Sequence, residues 1–248
     1  RLARLDMDGI MPGARIDASH AVLHDDAAES FSWSVSWLPP GFAESARERR
    51  QGSAPGEAGP VPIIRHPDVR RMLLTMEALT QAGRALTLRA MHHFDQALHH
   101  PDPESRARHQ RRVDLLTPLV KGWCTEIANE VASLGIQIHG GTGYVEETGA
   151  AQYYRDARIL AIYEGTNGIQ ALDLVGRKLL ANGGEHGMEW LGDLEPIVEA
   201  CRAADQGALA DSLAEALFLG AEAVRELLTR APGEPAYPGA NAFHLLML

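Results

Sequence analysis

Cysteine is nearly absent, with Cys124 and Cys201 the only two in 248 residues. Two thiols so far apart build neither a disulfide framework nor a metal cluster, so a reducing, cytoplasmic setting is expected. Lysine is equally scarce: of 23 basic residues only Lys121 and Lys178 are lysines. Acidic residues outnumber basic ones by 33 to 23, for a net charge of −10, so a chain-wide basic footprint for nucleic acid is missing. No run of about 18 apolar residues exists, and no membrane-spanning helix is expected. What is present suits a globular protein. The chain is 45% hydrophobic and 23% charged, which excludes wholesale disorder. Its length allows about 70–75% of the unfolded surface to be buried.

The pattern along the chain is mostly helical. Residues 1–40 differ: Phe31, Trp33, Val35 and Trp37 alternate with serines, a period-two strand signal closed by Pro39 and Pro40. One strand alone makes no stable sheet, so an irregular arm or a sheet-edge donor is expected. Gly52, Pro55, Gly56, Gly59, Pro60 and Pro62 mark a linker. The spacing then predicts helices over about 67–99, 103–134, 147–156, 167–181, 187–203 and 206–230. Pro67 suits a first helical turn and Asp68 its positive end. Pro118 should kink the second helix. Asn182, Gly183 and Gly184 should end the fourth, and the prolines between 232 and 238 break the chain. The stripes are wide enough for a bundle, and the fold class is all-α. The chain starts at Arg1 without Met or signal peptide and stops inside an apolar run, so a piece of a larger polypeptide is expected.

Two segments resist a purely structural account. In the first, Gln137 to Tyr144, Gly140, Gly141 and Gly143 follow a helix rather than a strand and lack both dinucleotide-fingerprint and P-loop spacing. They could cap the helix, or bring backbone amides up to an anion. His139 among them could touch a phosphate or simply pack. In the second, Glu164 and Gly165 precede a helix that Thr166 or Asn167 could cap. Glu164 is either a partner for the helix dipole or a base aimed into a cleft, where apolar burial would raise its pKa against the pull of the helix terminus. His92, His93, His99 and His100 read as a solvated helix end.

Tyr163-Glu164-Gly165-Thr166, preceded by Gln137, Gly140 and Gly141 and by Arg155-Asp156, resembles the C-terminal helical domain of acyl-CoA dehydrogenases. The likeness is clear over about residues 42–183. The stretch from Ile63 to Leu73 further resembles the long bacterial branch of that family that includes the 3-methylmercaptopropionyl-CoA dehydrogenases, which carries an extra helical C-terminal segment. The resemblance implies an irregular arm over 1–40, the family domain over 41–185, and an additional, truncated helical segment over 186–248. It leaves the segment before Phe42 unexplained, because the family's first helix belongs there. Residues 10–40 are therefore expected to be out of frame, which translation of the other frames would test.

The resemblance also implies chemistry. These enzymes use FAD to oxidise the α,β bond of an acyl-CoA thioester to a trans-2-enoyl-CoA, and pass electrons to electron-transfer flavoprotein. Glu164 matches their base, with Gly165 letting the thioester approach the backbone. Arg49 matches an arginine on the flavin pyrophosphate of a neighbouring subunit, with Gln51 in the same stretch. Gln137, Gly140 and Gly141 match contacts to a partner's adenosine, and Thr166 and Gly168 match flavin contacts. Arg177 matches a substrate-side arginine or makes a surface pair. Arg155 and Asp156 read as a structural ion pair. A homodimer or homotetramer is implied. The family's N-terminal helical and middle β domains are not in this sequence, so a non-catalytic helical oligomerisation module is the competing reading.

Overall fold

The computed structural model describes residues 40–54 and 56–248. The aromatic-serine alternation over 31–37 and the proposed frame break lie outside them. Among the described residues there are nine α-helices and no strand. They are α1 (Pro40–Glu48), α2 (Pro67–His99), α3 (Pro103–His139), α4 (Gly141–Tyr144), α5 (Ala150–Leu160), α6 (Asn167–Asp173), α7 (Glu185–Ala203), α8 (Gly207–Arg230) and α9 (Tyr237–Met247).

Helix α2 starts and stops where its prolines predict. Pro67 occupies the first turn, and Asp68 pairs with Arg71 at 2.9 Å. Its buried line is Met72, Met76, Gly83, Ala90 and His93, rather than the bulkiest residues of its stripe. Small side chains allow α2 and α3 to approach closely: the Cys124 thiol lies 3.9 Å from the Gly83 carbonyl. Burial pushes that thiol up to about 11, which leaves it unreactive at neutral pH.

Helix α3 is the axis of the fold. At 37 residues it is about 55 Å long. The Asp102 carboxylate caps it, accepting from the Ser105 N–H at 2.8 Å. It runs unbroken through Pro118 and ends at His139, not near 134. Gly135, within it, is a close contact: a methyl there would stand 2.5 Å from the Phe42 ring of α1. Gly122 does the same for α9, since a methyl would meet Leu246 at 2.4 Å. The proline-broken C-terminal stretch thus yields a helix that periodicity did not reveal. Pro238 sits in its first turn, where no intrahelical N–H is required.

The predicted helix over 167–181 is less regular than expected. After α6 it widens into a π turn over Leu174–Leu179, then tightens to a 3-10 turn over Leu180–Asn182. The wide turn sends Leu174, Val175 and Leu179 into one core with Leu115, Val224, Leu227 and Leu246. Gly183 and Gly184, both at positive φ, end it as predicted. The 147–156 piece appears as a short 3-10 turn followed by α5. Arg155 and Asp156 do not pair with each other, because adjacent residues on a helix do not face each other. Arg155 instead binds Glu146 at 2.6 Å, and Asp156 accepts from Gln152.

Two buried polar groups bind the helices together. Arg112, on α3, is 1% exposed and reaches across to α7, with Nε 2.8 Å from Asp193 and Nη1 3.0 Å from Glu189. Burial raises the Asp193 carboxyl, but the Arg112 and Arg108 guanidiniums outweigh it and hold it below the usual carboxylate range. The second group corrects the solvated-histidine reading. His93 is buried, and its Nδ1 is hydrogen-bonded to His109 Nδ1 at 2.8 Å, beside Trp190. Burial, then the charges of Arg89, His109, His92 and Arg112, bring its pKa down to about 4.

The sign of the resulting pH effect follows. An unfolded histidine binds its proton near pH 6.5 and the folded one near 4, so the unfolded state takes up more protons between those values. Stability from this group is intact above about pH 6.5 and falls as pH drops toward 4. Between pH 7.5 and 5 the loss should be about 2 kcal/mol. Denaturant melts at the two pH values should show it, and His93→Gln should shrink the difference. An equal difference in that variant would acquit His93.

Candidate functional site

The residues singled out in the sequence gather at two places on α3. At its C-terminal end, the chain leaving α1 forms an isolated antiparallel bridge, Arg50 to Pro62. Backbone bonds from Ile63 to Arg49 (2.8 Å) and from Gln51 to Val61 (2.9 Å) fix the position of Arg49. Its Nη1 donates to the His139 carbonyl at 2.6 Å and its Nη2 to Gln51 Oε1 at 2.8 Å. That carbonyl belongs to the last turn of α3, where orphan carbonyls carry the negative end of the helix dipole. Gly140 follows at φ +64, and any β-carbon there would lie 2.8 Å from Arg49 Nη1. Glycine is favoured by the backbone angle, and its bare Cα leaves room for the guanidinium above it. Gln137 and Gly141 are exposed on the same end. His139 turns away: Nδ1 lies 2.9 Å from the Gly135 carbonyl and the ring packs edge-on to Phe42, so it has a packing role here.

This end has the chemistry a phosphate needs. A guanidinium has five N–H donors, and two bonds to protein leave others to offer. A glycine pair beside it allows a large anion to come close. On the outer side Arg49 shares an open hollow with Glu44, Ser45 and Glu48, where the two carboxylates oppose an anion.

The second place is the turn between α5 and α6. Glu164 adopts φ +53 and Gly165 φ +89. A non-glycine residue in this region costs about 1–2 kcal/mol, so the turn holds Glu164 where a relaxed chain would not. Glu164, Gly165, Thr166 and Gly168 are all exposed, and so are the apolar Ile159, Ile162, Ile169 and Leu172 around them. Thr166 stands at the N-cap of α6 but its side chain makes no cap bond. Asn167 does not cap either. Its carboxamide is buried against Gly122, Thr125 and Glu126 of α3, a partnership that helical spacing gave no reason to expect. Arg177 makes a surface pair with Asp173 at 2.7 Å, and its side chain is 78% exposed.

The two places stay apart. Glu126 beneath the Glu164 turn and His139 beneath Arg49 are thirteen residues distant on one helix, about 20 Å. One chain therefore does not bring Arg49 to Glu164.

Comparison with known proteins bears on what this arrangement is. The family described as acyl-CoA dehydrogenase, C-terminal domain, matches residues 43–180. The 3-methylmercaptopropionyl-CoA dehydrogenase of Ruegeria pomeroyi is 52% identical over 191 residues, covering 75% of this chain and 32% of that protein. A butyryl-CoA dehydrogenase of Syntrophomonas wolfei is 34% identical over 62% of this chain and 25% of its own length. This chain thus spans a quarter to a third of these relatives. Among solved structures, Caenorhabditis elegans ACDH-11 in complex with C11-CoA superposes with a TM-score of 0.65 at 21% identity, over 89% of this chain and 34% of that one. An acyl-CoA dehydrogenase complexed with FAD from Bacillus anthracis gives 0.51 at 22% identity, over 89% of this chain and 45% of that one. These two likenesses concern the fold. With the family match running through α1, α3 and the Glu164 turn, this protein belongs to the acyl-CoA dehydrogenase family and contains its C-terminal domain.

Proposed function

We propose that this chain is the part of an FAD-dependent acyl-CoA dehydrogenase that carries the catalytic base, Glu164, and one edge of the flavin site. The observation that carries the reading is the Glu164 turn, a carboxylate held at positive φ in front of a buried anchor and ringed by exposed apolar residues. Covered by further protein, such a carboxylate would lose water and strengthen as a base. It would take the α proton of an acyl thioester, while Gly165 lets the thioester approach the backbone and the Glu164 N–H donates to its oxygen. FAD, when bound, supplies the acceptor for the hydride from the β carbon. Arg49, with Gln51, would hold its pyrophosphate, and Gln137, Gly140 and Gly141 its adenosine end. Thr166 and Gly168 would line the flavin near the base, and Arg177 the acyl-CoA side.

The separation of the two places along α3 supports a homodimer or homotetramer, in which Arg49 of one subunit serves the flavin of another. Electron-transfer flavoprotein is the expected acceptor. The division at residue 185 is kept as part of this reading, with 186–248 an added helical segment over the domain core. No helix among the described residues is long and apolar enough to cross a membrane.

A second reading, a helical oligomerisation module without catalysis, is favoured by the exposure of Glu164 in this chain alone. Purification separates the two. The first expects a yellow protein whose flavin absorbance bleaches when an acyl-CoA is added without oxygen. A colourless, stable dimer that takes up no added FAD would overturn it in favour of the second.

A further inference from the structure

We propose that Asn167 is a positioning residue, whose carboxamide latches the Glu164 turn to α3 and so sets where the Glu164 carboxylate stands. The proposal rests on the reading of Glu164 as the base.

Asn167 is 4% exposed, directly beside a turn whose other residues face solvent. Its Nδ2 has two protons and three acceptors in reach: Thr125 Oγ1 at 2.8 Å, Glu126 Oε1 at 2.8 Å and the Gly122 carbonyl at 3.3 Å. The Thr125 hydroxyl lies 3.1 Å from its Oδ1. Its own N–H donates to the Ala161 carbonyl at 3.2 Å, closing the loop at its base. On the other side, the Tyr163 N–H reaches Ile159 at 3.1 Å. Glu164, Gly165 and Thr166 are the residues left between these two clamps, and the first two sit at positive φ. Glu164, a non-glycine residue, relaxes from this region unless its surroundings over-determine it. Here the determinant is the Asn167 carboxamide, buried and hydrogen-bonded to α3, whose own donors and acceptor would lose those partners if the turn moved.

Aspartate is the discriminating replacement, because it keeps the shape and removes both donors. In Asn167→Asp a carboxylate faces Glu126 and the Gly122 carbonyl. Hydrogen exchange followed by mass spectrometry on the 248-residue chain should then show the 161–167 peptide exchanging about tenfold faster or more, with α2 and α8 unchanged. Adding Glu126→Gln gives the new carboxylate a donor and should restore part of the protection. In flavin-loaded protein the single variant should lower kcat about tenfold to a hundredfold at unchanged KM, since the base is displaced while the binding surfaces are not. Unchanged exchange in 161–167, loosening spread evenly over every helix, no recovery with Glu126→Gln, or an unaltered kcat would each overturn the proposal. Should Asn167→Asp fail to fold, Thr125→Val removes one partner of the same latch from a buried isosteric site and must speed exchange in the same peptide; no change there would also overturn it. The exchange measurement needs neither flavin nor substrate. Turnover retained by a Glu164 variant would instead defeat the base reading and leave the latch measurable.

Discussion

Glu164→Gln should lower the rate of flavin reduction by an acyl-CoA about 10²–10⁴-fold, with flavin affinity unchanged. Glutamine copies the size and the hydrogen-bonding reach of glutamate but cannot take a proton from carbon. The substitution also keeps the left-handed backbone of the turn, because Glu164 pays the same conformational cost as glutamine would at φ +53. The Asn167 amide and its α3 partners are untouched, so the turn keeps its place. Arg49 and the Gly140 region, about 20 Å along α3 from that anchor, have no reason to alter their hold on a phosphate. Anaerobic stopped-flow on flavin-loaded protein measures the bleaching directly. A variant that reduces flavin within a few-fold of the parent rate would remove Glu164 from the reaction.

The largest stability effect should come from Arg112→Met. The guanidinium is enclosed on α3 and is the buried centre of the cluster joining α3 to α7. Methionine fills similar volume and leaves Asp193 and Glu189 with only the more exposed Arg108 and Arg111 as counter-charges. Truncating one member of a fully buried ion pair costs about 3–5 kcal/mol; with Arg108 and Arg111 still beside the carboxylates, about 2–3 kcal/mol is expected here. That is a large fraction of the 5–15 kcal/mol typical of a whole domain, so urea melts should shift strongly or split. The control removes the stranded charges as well. Arg112→Met with Asp193→Leu and Glu189→Leu should recover most of the loss, since apolar replacement of a complete network is often neutral. A single variant less than about 1 kcal/mol down would mean that α7 is held by its apolar contacts instead.

Short-range rules made much of the architecture readable from residues alone. Pro67 announces the start of α2, and Gly183-Gly184 the stop before α7, because these residues act on their own backbone angles and hydrogen bonds. Where the readings went astray, a neighbour had intervened. Periodicity predicts an end near 134, yet α3 runs on to His139, with Gly135 a seat for Phe42. The stretch after Pro232 looked broken, yet α9 forms by setting Leu246 on Gly122. His93 looked solvated and is buried against His109 and Trp190.

The candidate site divides in the same way. Tyr163-Glu164-Gly165-Thr166 could be picked out in the chain because the motif is contiguous, and the family to which it pointed is the one to which the chain belongs. By itself, then, the sequence determined an all-α fold class, most of the helix limits among the described residues, and the family sign at Glu164. Only the tertiary structure decided that Arg49 lies on Gly140, that Arg112 reaches Asp193, and that Asn167 turns inward to Thr125 and Glu126. The reason is one of range. A cap or a proline acts within a turn of its own position, whereas these pairings depend on the rotation and axial offset of whole helices. Those are settled where small residues such as Gly83, Gly122 and Gly135 let one helix close upon another.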